Sequence, residues 1–138
     1  MSITNLQLIE DALREIGVIS EVDSASSEQG STCLRKLNQL MEVLREDGID
    51  VGYFAQGSTA GTCPIPTYAE IAITSALALM IAPTYGASLS AETASMLDSS
   101  ISKLKRKLIA EGLGSLDMSH MPSGTGHYGS RWDINTDA

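Results

Sequence analysis

Thr67-Tyr68-Ala69-Glu70-Ile71-Ala72-Ile73-Thr74-Ser75-Ala76-Leu77-Ala78-Leu79-Met80-Ile81-Ala82-Pro83 is the stretch whose reading decides the fold. From Ile71 to Ala82 nearly every position is apolar, which predicts a central helix covered on most sides. Its alanines allow neighbouring helices to approach closely. Thr67 through Glu70 has the pattern of a capping box, and Pro83 predicts a stop, because proline disfavours the helical conformation of the residue before it. The apolar run from Ala69 to Ala82 includes Glu70, Thr74 and Ser75 and is 14 residues long. A bilayer crossing needs about 20 apolar residues, so a buried core helix is expected and no membrane partner.

Amphipathic helices flank this segment on both sides. Toward the N-terminus, Leu6, Ile9, Leu13 and Ile16 share one face of a helix expected from Asn5 to Ile16. Thr4 and Gln7 offer a capping box, and Gly17 a left-handed stop. A second helix is expected from Glu28 to Asp47, capped by Ser26 and Gln29, striped by Leu34, Leu37, Met41 and Leu44 and ended by Gly48. Toward the C-terminus, Leu97, Ile101, Leu104 and Leu108 predict a fourth helix from Ala91 to Ala110. Residues 49–66 contain Gly52, Gly57, Gly61, Pro64 and Pro66. That stretch reads equally as a loop packing its early apolar residues or as a short hairpin.

The expected architecture is all-α, a four-helix bundle over residues 1–114 with a long extended C-terminal arm over residues 115–138. Leu34, Leu37, Met41, Ile71, Leu77, Leu97, Ile101 and Leu104 are expected inside. Composition agrees, since 43% of residues are hydrophobic but only 4% aromatic, a mix that favours packed helices over a β-sandwich. The arm cannot bury enough apolar surface by itself to offset its ordering entropy. It does carry Met118, Met121, Tyr128 and Trp132, large side chains suited to docking on a partner.

Charge narrows the function. The net charge is −8, with 17 acidic and 9 basic residues, so coating of nucleic acid is disfavoured as a main task. Lys103, Lys105, Arg106 and Lys107 form the densest cationic cluster. It can face double-stranded DNA phosphates or an acidic protein surface, or simply complement the dipole at a helix C-terminus. Helices one and two are separated by about ten residues, too many for a helix-turn-helix. Gly124 and Gly126 lack the preceding strand and following Lys of a phosphate loop. His120 and His127 lack further ligands for a metal, and no cofactor is expected. Cys33 and Cys63 fit no metal spacing and read as reduced thiols. A cell-wall glycosidase would need a carboxyl pair across a cleft. Glu10, Glu15, Glu42 and Glu46 occupy helix-surface positions where solvation leaves a carboxyl near its ordinary pKa, so no pair stands out and no enzyme is expected.

Several local signatures coincide in order. Asp47-Gly48-Ile49 is followed by Gly52-Tyr53, and Ile81-Ala82-Pro83 by Tyr85. Met121-Pro122-Ser123-Gly124-Thr125-Gly126 lies beyond the basic helix, and Ile16-Gly17-Val18 sits at the first turn. In these the chain resembles the head-to-tail adaptors of short-tailed phages, also called tail accessory factors or packaged-DNA stabilisation proteins. It departs from them at Leu44-Arg45-Glu46, where an aromatic cluster would be expected. The resemblance implies a virion protein of the phage neck and tail, assembled in the host cytoplasm. Identical subunits would form a dodecameric ring beneath the portal protein, extending the DNA channel, retaining the packaged genome and offering a platform to the tail hub or nozzle. It further implies that Met121, Pro122, Ser123, Gly124 and Gly126 belong to a portal-gripping arm, to which Tyr128 and Trp132 add bulk. The free subunit is expected to be monomeric or weakly associated. The alternative of a peptidoglycan hydrolase carried by the same adaptor remains open at this point.

Overall fold

The computed structural model describes residues 2–114. Among these the fold is all-α, with α1 at Asn5–Glu15, α2 at Ser27–Glu46, α3 at Glu70–Ile81 and α4 at Ala91–Gly114. The arm expected over residues 115–138 lies outside the described residues.

The sequence signals at the first two helices act as expected. Thr4 and Gln7 form one capping box, and Ser26 and Gln29 another. Gly17 and Gly48 take left-handed φ of +73° and +86°. The chain thereby folds back so that Val18 N–H donates to the Leu13 carbonyl and Ile49 N–H to the Leu44 carbonyl. These bonds satisfy carbonyls that a helix end leaves without partners.

The ends of α3 differ from the sequence expectation. Pro66 is the extended residue at this start, and its carbonyl accepts from Ala69 N–H across a 3-10 turn at Thr67–Ala69. Thr67 has therefore already entered the turn, and no side chain caps the helix. At the other end Ala82 keeps helical φ and ψ despite the following proline. Pro83 occupies the first turn of a second 3-10 segment, Ala82–Tyr85, where its missing N–H costs little. Gly86, at φ +66°, ends the run.

α3 is the hub of the molecule, packing against α1, α2 and α4, while α1 and α2 also pack on each other. The helical run Thr67–Tyr85 is long and apolar enough by composition to cross a membrane. Here Ile73, Leu77 and Ile81 are instead enclosed by the fold, with Leu8, Ile9, Leu13 and Leu37. α4 contributes Leu97 and Leu104 to the interior, and Ile101 is half-buried. Ile71, expected inside, is 69% exposed. An apolar residue on every side of α3 exceeds what three neighbouring helices can cover.

Residues 49–66 form a loop with one isolated bridge, Thr4 to Thr62, and no hairpin. Ile49, Tyr53, Cys63 and Ile65 are buried. Polar side chains hold the loop down. Asn5, fully buried, donates through Nδ2 to the Ser58 carbonyl at 2.8 Å and to Gln56 Oε1 at 3.2 Å. Arg45 donates to the Tyr53 carbonyl, 2.6 Å away. Asn5 N–H and Leu6 N–H donate to the Gly61 and Thr59 carbonyls, both at 2.9 Å. The loop thus supplies acceptors to the open first turn of α1.

Candidate interaction surface

Lys103, Lys105, Arg106 and Lys107 are all exposed on α4. α4 is fixed by Leu97 and Leu104 beneath it and begins at Ser90, whose Oγ accepts from Thr93 N–H at 3.2 Å. The helix continues to Gly114, beyond the expected end at Ala110, and its last turn contains no basic residue. Dipole effects fade within the final turn, so the cluster lies short of the dipole's main reach, and two of its members, Arg106 and Lys107, already have intramolecular partners.

Spacing divides the cluster. At about 100° per residue, Lys103 and Lys107 share a face one turn apart, whereas Lys105 stands on the opposite side of the helix. Lys103 and Lys107 line a hollow of about 320 Å³ between α3 and α4, together with Tyr68, Ile71, Ser100 and Leu104. Lys107 Nζ lies 3.6 Å from the Tyr68 ring centroid, a cation–π contact. Tyr68 Oη donates to Glu111 Oε2 at 3.5 Å. Loss of water around the ring and the Glu111 charge push the Tyr68 hydroxyl pKa up. Arg106 bonds back to the Ser102 carbonyl at 3.4 Å.

Across α3 the surface is acidic. A hollow of about 780 Å³ is lined by Gln7, Glu10, Asp11, Arg14 and Glu70, and an adjoining one of about 350 Å³ adds Glu15 and Ile71. Arg14 pairs with Asp11 at 3.0 Å and with Glu10 at 3.4 Å, and Glu10 Oε1 also accepts from Ala25 N–H. Glu10 is thereby committed to holding the α1–α2 connection. Glu15 departs from expectation. Desolvation against α3 raises its pKa, offset in part by Ser75, whose Oγ donates to Glu15 Oε1 at 3.3 Å, while Asp11 adds to the rise. Glu42 and Glu46 are exposed on α2.

Met121, Pro122, Ser123, Gly124, Gly126, Tyr128 and Trp132, like His120 and His127, lie outside the described residues. Neither Tyr68 nor Ile71 carried a signal of exposure in the sequence, Ile71 being one apolar residue in an apolar run and Tyr68 standing just before it. No protein-family model matches the chain, and no curated protein matches it significantly.

Proposed function

We propose that this chain is a structural virion protein, a head-to-tail adaptor subunit that binds a phage portal and helps retain the packaged genome. The proposal rests on the ordered resemblance across residues 5–127. The structural observation that best supports it is α4, which packs chiefly on α3, presents an exposed cationic cluster and runs to Gly114, where the arm sequence starts. In this reading Lys105 and Arg106 meet an acidic portal surface or DNA phosphates at the channel. Met121, Pro122, Ser123, Gly124, Gly126, Tyr128 and Trp132 grip the portal. Pro122 fixes a backbone angle in advance and lowers the entropy lost on docking. Identical subunits complete a ring that continues the channel and receives the tail hub. Each lateral contact is weak, but it becomes effectively intramolecular once the portal holds neighbours side by side.

The test is truncation after Gly114. The body should stay folded, since residues 2–114 enclose a core of their own. Heads assembled with the truncated chain should fill with DNA and then leak it, whereas full-length chain retains it. Truncated subunits that still occupy the portal and hold the genome would assign the contact to the helical body.

A further inference from the structure

Ile71 lies between two surfaces of opposite charge. On its α1 side a hollow of about 350 Å³ is lined by Asp11, Glu15 and Glu70 around the single guanidinium of Arg14, so carboxyl groups outnumber cations there. On its α4 side the 320 Å³ hollow carries Lys103 and Lys107 beside Tyr68, two cations against the one carboxylate, Glu111, that accepts from the Tyr68 hydroxyl. Ile71 lines both hollows, so they adjoin across it. It is also the residue of α3 that projects furthest into solvent, at 69% exposure, and Tyr68 beside it is 41% exposed.

A face that is acidic on one side of an apolar ridge and basic on the other is complementary to itself. Rotation by half a turn about an axis parallel to the ridge puts the acidic side of one copy over the basic side of the other, and does so twice. We propose that this face pairs two copies of the chain in a symmetric dimer. Ile71 of each copy enters the α3–α4 hollow of the other, while Asp11 and Glu70 meet the partner copy's Lys103 and Lys107. Two-fold association uses the same patch on both subunits. An apolar centre with a charged rim is the usual anatomy of such contacts. Charge alignment selects this register, because the opposite orientation stacks like charges. The dimer is salt-sensitive, since its charges are exposed and screened by ions. It does not depend on the adaptor reading. A ring is built from head-to-tail contacts, so the symmetric pair is a form of the unassembled chain.

Sedimentation velocity of the full-length chain tests this without any phage component. The wild type should show a monomer–dimer equilibrium at low ionic strength that weakens about tenfold or more at high salt. Asp11→Lys with Glu70→Lys makes both sides basic, and Lys103→Glu with Lys107→Glu makes both acidic. Each double variant alone should be monomeric, and an equimolar mixture should form dimers again. Ile71→Asp should also abolish pairing and, at an exposed site, leave the circular dichroism spectrum unchanged. If the basic variant misfolds, Ile71→Asp and the Lys103/Lys107 variant decide the matter. A dimer that survives in either of those, species larger than a dimer, or a wild type that stays monomeric at millimolar concentration would overturn the proposal.

Discussion

The Tyr53 hydroxyl donates to Asn38 Oδ1 across 2.6 Å, joining the 49–66 loop to the middle of α2. The same oxygen accepts from Gln56 N–H at 2.9 Å, and Asn38 Nδ2 donates to the Gln56 carbonyl at 3.0 Å. One helical side chain thus satisfies three groups of a loop that has no ladder of its own. Gln56 Oε1 in turn accepts from Asn5 on α1, so the loop is tied to two helices at once.

Asn38→Ala should therefore cost far more than an ordinary half-buried polar truncation. It strands the Tyr53 hydroxyl and both backbone groups of Gln56, and each unsatisfied buried group costs about 1–3 kcal/mol. A total loss of about 2–4 kcal/mol is expected once partial access to water is allowed for. Urea unfolding measures it, and a loss under about 1 kcal/mol would mean that the loop is held by its apolar residues alone.

Two leucine truncations should separate core from periphery. Leu37 is fully enclosed on α2, which packs on both α1 and α3, whereas Leu104 lies under α4, which packs chiefly on α3. Leucine-to-alanine changes in cores cost about 2–5 kcal/mol, more where the surroundings cannot relax. Leu37→Ala should fall at the upper end and Leu104→Ala at the lower, because α4 can settle into the gap. Equal losses in chemical denaturation would show that α4 is as firmly held as α2.

Glu15 should leave a signature in the pH dependence of stability. Its folded pKa lies above the ordinary 4.5, so between these values the folded chain binds more protons than the unfolded one. Its stabilising contribution is full below the unfolded pKa and is lost as pH rises through the folded pKa. Glu15→Gln should remove that decline and be at least as stable as wild type at pH 7. Melting temperatures of both chains between pH 4 and pH 7 would check this, and an unchanged slope in the variant would exclude Glu15 as its source.

Cys63 should resist thiol reagents in the folded protein. It is 1% exposed, and burial, with the Glu70 charge adding, pushes its pKa up to about 11. Cys33 is also buried, its thiol 3.8 Å from the Tyr85 hydroxyl, and its pKa is raised as well. The reactive species is the thiolate. Modification by a disulfide reagent at pH 8 should be about a hundredfold or more slower than in denaturant. Prompt reaction of one thiol would reveal local opening around α3.

The sequence by itself determined the all-α class, two capping boxes, the stops at Gly17 and Gly48 and most of the enclosed leucines. Those features depend on neighbours within one or two helical turns, so local pattern suffices to reveal them. It could not say which side of α3 remains in water, because an all-apolar helix has no polar stripe to orient it. Only the packing of three neighbours left Ile71 uncovered. Nor could it read Asn5, Asn38 and Gln56 as fastenings of the 49–66 loop, since a hydrogen bond between residues 18 or 51 positions apart has no local period. The cationic cluster and its division by helical spacing were legible, but that Lys103 and Lys107 line a hollow against α3 depended on where α4 lies. Tertiary structure also decided that the acidic α1 side and the basic α4 side adjoin, because both helices pack against α3 with Ile71 between them.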